Sequence, residues 1–190
     1  FKIIMSIIGI TGSIASGKTT VAKLMAGKKY PLFSADKIVT SFYKKKSFIR
    51  FLSKKFNLDT KSNIKEQIKS VLKKNKKNIY KLEAIIHPMV RKEMKIFLKK
   101  RDKFLFLEIP LLLESKLKNY FDSVVFVDTK QKIRLKRYLK RNGNRRTFYL
   151  LDSRQLSPIV KKNMCDYVIN NDYSLVVLKK KIKIFINNYE

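Results

Sequence analysis

The sequence is nearly devoid of the residues that staple extracellular or metal-built folds. One cysteine, Cys165, stands in 190 residues, which excludes an intramolecular disulfide and fits a reducing, cytoplasmic compartment. The one histidine, His87, has no cysteine, histidine or acidic partners at ligand spacing, which excludes a zinc site around it. No apolar run approaches the roughly 20 residues needed to cross a bilayer, so no membrane partner is expected. Acidic residues are scarce, 14 against 45 Lys and Arg. There is no internal repeat and no low-complexity linker.

What is present suffices for one compact domain with a sizeable core and an insertion, since 45% of the residues are hydrophobic. The formal charge of +31 invites a polyanion-binding reading. Yet only nine of the basic residues are arginine and 36 are lysine, spread over the whole chain rather than held in one stripe. Lysine, isoleucine, asparagine, phenylalanine and tyrosine are abundant together, as an AT-rich coding sequence produces. The charge therefore reads as compositional bias on solvated faces. It attracts anions and gives nonspecific binding at low salt, with no specific nucleic-acid partner expected. A monomer or weak oligomer is expected.

Residues 3–10 form a continuous aliphatic run suited to a strand buried on both faces. The run passes straight into a glycine loop, which argues against a signal peptide. Met5 is expected as a natural start, with the four residues before it an addition or upstream extension. A helix is expected from Thr19 to about Ala26. Further strands are expected at Tyr30–Ser34, Phe104–Leu107, Ser123–Val127 and Tyr167–Ile169. Helical spacing fills about 37–100, broken by an exposed turn over Lys73–Asn78. A basic helical stretch covers about 130–141, and a last helix about Leu175–Asn187. Alternating strands and helices imply an α/β fold, a five-stranded parallel sheet flanked by helices. The core is expected in about 1–36 and 103–190. The helical stretch about 37–102 is expected as an insertion beside the core rather than an independent domain.

Gly12-Ser13-Ile14-Ala15-Ser16-Gly17-Lys18-Thr19 matches the Walker A pattern in full. Glycine lets the backbone bend around a phosphate, and successive N–H groups bind its oxygens. The following helix offers its positive end to the same anion. Lys18 can reach the β- and γ-phosphates, and the Thr19 hydroxyl can ligate Mg²⁺. Asp36 falls just past the second strand, at the sheet edge where open α/β folds bind ligands. It reads equally as a group that orients an attacking hydroxyl and as a helix N-cap. Glu108 ends the third strand in the same way, as a carboxylate near Mg²⁺ or a solvated strand end. His87, next to Pro88, is expected to fix a helix junction by hydrogen bonding, with Arg91 one turn beyond. Arg137 and Arg141, four apart, share a helical face that suits either a lid over triphosphate or a solvated basic surface.

Together these residues resemble the dephospho-CoA kinase family, which catalyses the last step of coenzyme A biosynthesis. The resemblance runs in order through Ile8–Gly12 with Ser16–Thr20, Ser34-Ala35-Asp36, Leu82-Glu83 with His87-Pro88 and Arg91, and Glu108–Glu114. It continues through Arg137 and Arg141, then Gln155, then Cys165–Ile169 with Asn171. It implies a P-loop nucleotide kinase fold with a helical substrate-binding insertion and a lid at about 130–155. It also implies transfer of phosphate from ATP to the ribose 3′-hydroxyl of dephospho-CoA. The loop Gly12–Thr19 with Thr20 would hold the nucleotide, and Thr19 and Glu108 the Mg²⁺. Lys18, Asp36, Arg137 and Arg141 would be catalytic, and Asp36, His87, Arg91 and Glu114 would meet dephospho-CoA.

The chain departs from the family pattern at several positions. Ser13 and Ala15 stand where glycine is usual, predicting a stiffer cradle. Ser34 and Glu108 each replace aspartate, and Lys65 replaces an arginine in the insertion. The rivals are a P-loop kinase for another small acceptor, a noncatalytic member of the family, and an ATP-dependent nucleic-acid-binding protein, the last supported by charge alone.

Overall fold

The computed structural model describes residues 5–60, 62–75 and 77–189. The first two residues of the expected 3–10 strand, the four residues before Met5, and Lys76 of the expected 73–78 turn lie outside this set. The elements in chain order are β1 (Ser6–Gly12), α1 (Lys18–Ala26), β2 (Leu32–Ser34), α2 (Ala35–Phe42), α3 (Lys46–Phe56), α4 (Ile64–Lys74) and α5 (Lys77–Phe97). Then follow β3 (Phe104–Glu108), a 3-10 turn at Lys118–Tyr120, β4 (Ser123–Asp128), α6 (Gln131–Leu139), α7 (Arg145–Asp152), α8 (Pro158–Met164), β5 (Tyr167–Asn170) and α9 (Leu175–Asn187). The chain divides into two compact units, one running through Ser34 and resuming at Lys100, the other Ala35–Lys99.

The first unit is built on a five-stranded sheet in the order β2-β3-β1-β4-β5, with every pairing parallel. Side chains alternate between faces of a strand, so Ile8, Ile10, Phe104, Phe106, Val125 and Val127 all point one way. They meet Val21, Ala22 and Met25 of α1 and Leu178, Ile182 and Phe185 of α9 in one buried core. Burying each phenylalanine there contributes about 2 kcal/mol. The opposite face is buried too, at Leu105, Leu107, Val124 and Phe126, which is why these strands read as continuous apolar runs. The expected five-strand parallel α/β architecture is the one observed. Because all strands run the same way, their last residues share one edge: Gly12, Ser34, Glu108, Asp128 and Asn170.

The second unit is helical, α2 to α5. Apolar residues four apart on each helix, Phe48 and Leu52, then Ile64 and Ile68, join Phe42 and Leu82 in a separate core. Asn63 caps α4 by accepting from the Lys65 and Glu66 amides. No helix junction forms at His87: α5 runs unbroken through Pro88. Proline removes one backbone bond, to Ala84 four residues earlier. Ala84 and Pro88 are both exposed, so water can satisfy that carbonyl. Ile85, Ile86, Met89 and Val90 continue the packed stripe on either side, and that packing overrides the local break.

Candidate active site

The loop between β1 and α1 is shaped by what its glycines leave out. A Cβ at Gly12 would lie 2.5 Å from Ser16 Oγ and 2.9 Å from the Val127 carbonyl. Gly17 has φ 92°, and a Cβ there would meet Asn171 Nδ2 at 2.3 Å. Between them the Ser16 amide donates to the Ser13 carbonyl at 3.1 Å, closing the turn. The Gly17 carbonyl then accepts the first helical bonds, from Thr20 and Val21. The amides at the start of α1 have no acceptor within the helix and face outward with the positive end of its dipole, which makes an anion cradle.

The stiffness expected of this loop resides in one residue. Ala15 sits at φ 58°, a left-handed conformation that costs a non-glycine residue about 1 kcal/mol or more. Ser13 has no positive φ and is simply buried, at 3% exposure.

Side chains from the second half of the unit hold the loop on both sides of Ala15. The Ser16 carbonyl accepts from Asn171 Nδ2 at 2.8 Å, Thr129 Oγ1 at 2.9 Å and Arg137 Nη1 at 3.2 Å. The Thr129 hydroxyl is shared with the Asp128 carbonyl, 2.7 Å away. Arg137 Nη2 also donates to the Asn171 carbonyl at 2.9 Å. On the other side the Ile14 amide donates to Gln155 Oε1 at 3.1 Å, and the Ile14 carbonyl accepts from Arg134 Nη1 at 3.3 Å. Arg134 is 2% exposed and pairs with Asp152 at 2.6 Å. Burial pushes the Asp152 carboxyl up, but hydrogen bonds from Arg134 and Gln131 outweigh it and hold the group below its usual range.

Arg137 is therefore bound to the loop backbone, not part of a solvated face. Burial lowers its pKa, Asp172 opposes this, and Arg141 adds to the lowering. Arg141 does not share the helix with it: α6 ends at Leu139. Asn142, at φ 58°, and Gly143 stop the helix. A Cβ at Gly143 would strike the Tyr138 ring at 2.2 Å. The Arg141 side chain is exposed in the turn beyond.

Glu108 is not a solvated strand end either. β3 lies inside the sheet, between β2 and β1, and Glu108 is 1% exposed. Its Oε1 accepts from the Thr19 hydroxyl at 2.5 Å and its Oε2 from the Ser34 hydroxyl at 2.9 Å. The longer carboxylate and the serine thus form one unit beside the loop. Glu114 binds inward: its Oε1 accepts from the Leu156 amide at 3.0 Å and pairs at 2.8 Å with Lys161, which is fully buried.

Asp36, His87 and Arg91 lie in the helical unit. α2 begins at Ala35, so Asp36 sits in its first turn and not at the capping position. Its side chain is exposed, in the turn where the helix dipole favours an acid. His87 and Arg91 are one turn apart on α5. Lys65 places its ammonium 5.5 Å from the Tyr43 ring centre. Thr129, Arg134 and Asp152 had no sequence signal as site residues. Gln155 and Asn171 were visible in the family resemblance but carried no role.

A phosphate cradle with a hydroxyl–carboxylate pair beside it suits many kinases, and the family comparison decides among them. The family model for dephospho-CoA kinase matches residues 6–176. The chain belongs to the dephospho-CoA kinase family. Dephospho-CoA kinase of Fusobacterium nucleatum is 36% identical over 187 residues, covering 94% of this chain and 96% of that protein. The Agrobacterium fabrum dephospho-CoA kinase is 33% identical over 186 residues, with coverages of 94% and 95%. A crystal structure of a Thermus thermophilus protein matches with a TM-score of 0.80 at 26% identity, covering 96% and 97%. Shikimate kinase from Bacteroides thetaiotaomicron matches at 0.57 and 12% identity, covering 96% and 97%, and shares the fold alone. Membership in the dephospho-CoA kinase family makes the chain a phosphoryl transferase with a P-loop kinase fold, as the motifs led one to expect.

Proposed function

We propose that the chain transfers the γ-phosphoryl group of ATP to the ribose 3′-hydroxyl of dephospho-CoA, giving coenzyme A and ADP. The observation that carries this reading is the Thr19–Glu108 pair, 2.5 Å apart beside the Gly12–Thr19 loop, in a chain that matches its family over residues 6–176. The Ile14, Ser16 and Thr20 amides are bonded within the chain, so the other amides of the Ser13–Thr20 stretch and the Lys18 ammonium bind the triphosphate. The Thr19 hydroxyl and Glu108 carboxylate are hard oxygen donors, which fits Mg²⁺. Among the described residues no cluster of three or more His, Cys, Asp or Glu could hold a metal, and Thr19 and Glu108 are the residues that would hold the ion. When bound, the ion neutralises charge on the β- and γ-phosphates.

Asp36, two residues past the end of β2, orients the 3′-hydroxyl and accepts its proton as the oxygen attacks in line. Arg137 and Arg141, in the lid segment about 130–155, offset charge on the transferring group. The helical insertion binds dephospho-CoA, with His87 and Arg91 on one helix offering cationic and hydrogen-bonding groups to its phosphates. Glu114, anchored by Lys161, shapes the wall of the substrate cleft. No helix is long and apolar enough to cross a membrane among the described residues. We infer a cytoplasmic protein, monomeric or weakly associating, with only nonspecific affinity for nucleic acid. The test is formation of CoA from dephospho-CoA and ATP by the purified chain, with a nucleoside panel as competing acceptors.

A further inference from the structure

The geometry points to a two-sided clamp that imposes the left-handed turn at Ala15, so that Asn171, Arg137 and Thr129 on one side and Gln155 and Arg134 on the other are positioning residues for the phosphate cradle. The inference rests on reading the loop as a nucleotide phosphate site, and it assigns residues that set its shape before nucleotide arrives.

The local sequence alone does not favour this loop. Ala15 occupies φ 58° without glycine's freedom, and such a conformation persists only where its surroundings over-determine it. Here the constraint falls on the two neighbours. Ile14 is held through both its amide and its carbonyl, and the Ser16 carbonyl through three donors. Asn171 and Thr129 are 6% and 4% exposed, so neither has bulk water as an alternative partner.

The direction of the Ser16 carbonyl matters more than its anchoring. In a planar trans peptide the C=O and the following N–H point opposite ways. With the Ser16 oxygen drawn toward Asn171, Thr129 and Arg137, the Gly17 N–H is aimed the other way. A flip of this peptide would exchange an N–H donor for a carbonyl oxygen at that position. It would also strip three donors of their acceptor. Glycine at 17 readily adopts alternative conformations, so the clamp, not the local chain, selects the phosphate-binding one.

The experiment combines Asn171→Ala and Gln155→Leu, one from each side, with Ala15→Gly, and uses Gln155→Glu as the variant that keeps an acceptor for the Ile14 amide. In nucleotide-free protein, NMR relaxation dispersion at the amides of residues 14–17 should be quiet in the parent and in Gln155→Glu. Microsecond-to-millisecond exchange should appear in Asn171→Ala and Gln155→Leu. Calorimetric ATP affinity should fall about tenfold in each clamp-deleted variant, the scale of one lost buried hydrogen bond. In the Ala15→Gly background the same deletions should cost only about twofold to threefold, because glycine adopts the left-handed turn unaided. Quiet amides in both deletions, or an equal loss of affinity with and without Ala15→Gly, overturns the clamp. If the parent binds no ATP, the nucleotide reading fails, and the dispersion measurements still decide the clamp. Should one deletion fail to fold, the other carries the same test.

Discussion

The Thr19 hydroxyl and the Glu108 carboxylate meet at 2.5 Å where α1 begins and β3 ends. This contact joins the phosphate loop to the carboxyl edge of the sheet. Its second oxygen is fixed by Ser34, the last residue of β2. Ser34 and Glu108, the two carboxyl-edge positions at which the sequence leads one to expect a departure from the family pattern, are thus bonded to each other.

Removing that donor tests the arrangement. Ser34→Ala leaves Glu108 Oε2 buried without this partner and should cost about 1–3 kcal/mol in urea unfolding. The Mg²⁺ concentration for half-maximal activity should rise as Oε1 loses its fixed direction. Glu108→Gln keeps the shape, removes the charge, and should lower kcat about a hundredfold. An unchanged Mg²⁺ dependence in both variants would remove this pair from the metal site.

Asp152 gives the fold a defined acid sensitivity. Its folded pKa lies below the ordinary 3.8, so its ionised form stabilises the folded state above about pH 4. That contribution fades as pH falls through the lower folded value. Asp152→Asn should cost about 3 kcal/mol at pH 7, since it leaves Arg134 buried without its carboxylate. The gap between parent and variant should narrow steadily below pH 4 in urea titrations. A gap independent of pH would show that the ion pair is not the source.

Cys165 is predicted to be inert. Burial, partly opposed by Lys118, pushes its thiol up to about 11. Its alkylation rate should be far below that of a free thiol at pH 7.4 and should climb about tenfold per pH unit up to roughly pH 11. A plateau near pH 8.5 would show an ordinary, accessible thiol.

Much of this was legible in the sequence. The aliphatic runs around Ile8, Phe106 and Val125 gave the sheet because strands buried on both faces have no polar alternation to confuse them. The glycines at 12 and 17 marked the loop, since no other residue fits there. What stayed hidden depends on long-range approach. Arg134 looked like one more basic residue among many, and only the folded chain brings it to Asp152 and Ile14. Glu108 read equally as a carboxylate near Mg²⁺ and as a solvated strand end, and only the strand order, with β3 inside the sheet, excludes the second. Pro88 suggested a helix break, but apolar residues on both sides of it pack as one stripe.

Asp36 bears the proposed proton transfer. Asp36→Asn keeps the size of an exposed side chain in the first turn of α2, so the fold should survive, with a melting temperature within a few degrees of the parent. CoA formation should be abolished while ATP affinity stays near the parent value. Near-normal turnover would remove Asp36 from the chemical step.

The central claim is tested by incubating the purified chain with ATP, Mg²⁺ and dephospho-CoA and following CoA and ADP by mass, beside the Lys18→Ala variant. Stoichiometric CoA and ADP from the parent, none from Lys18→Ala, and no phosphorylated product from a nucleoside panel is the predicted result. ADP release without CoA, or preferential phosphorylation of another acceptor, would contradict the account.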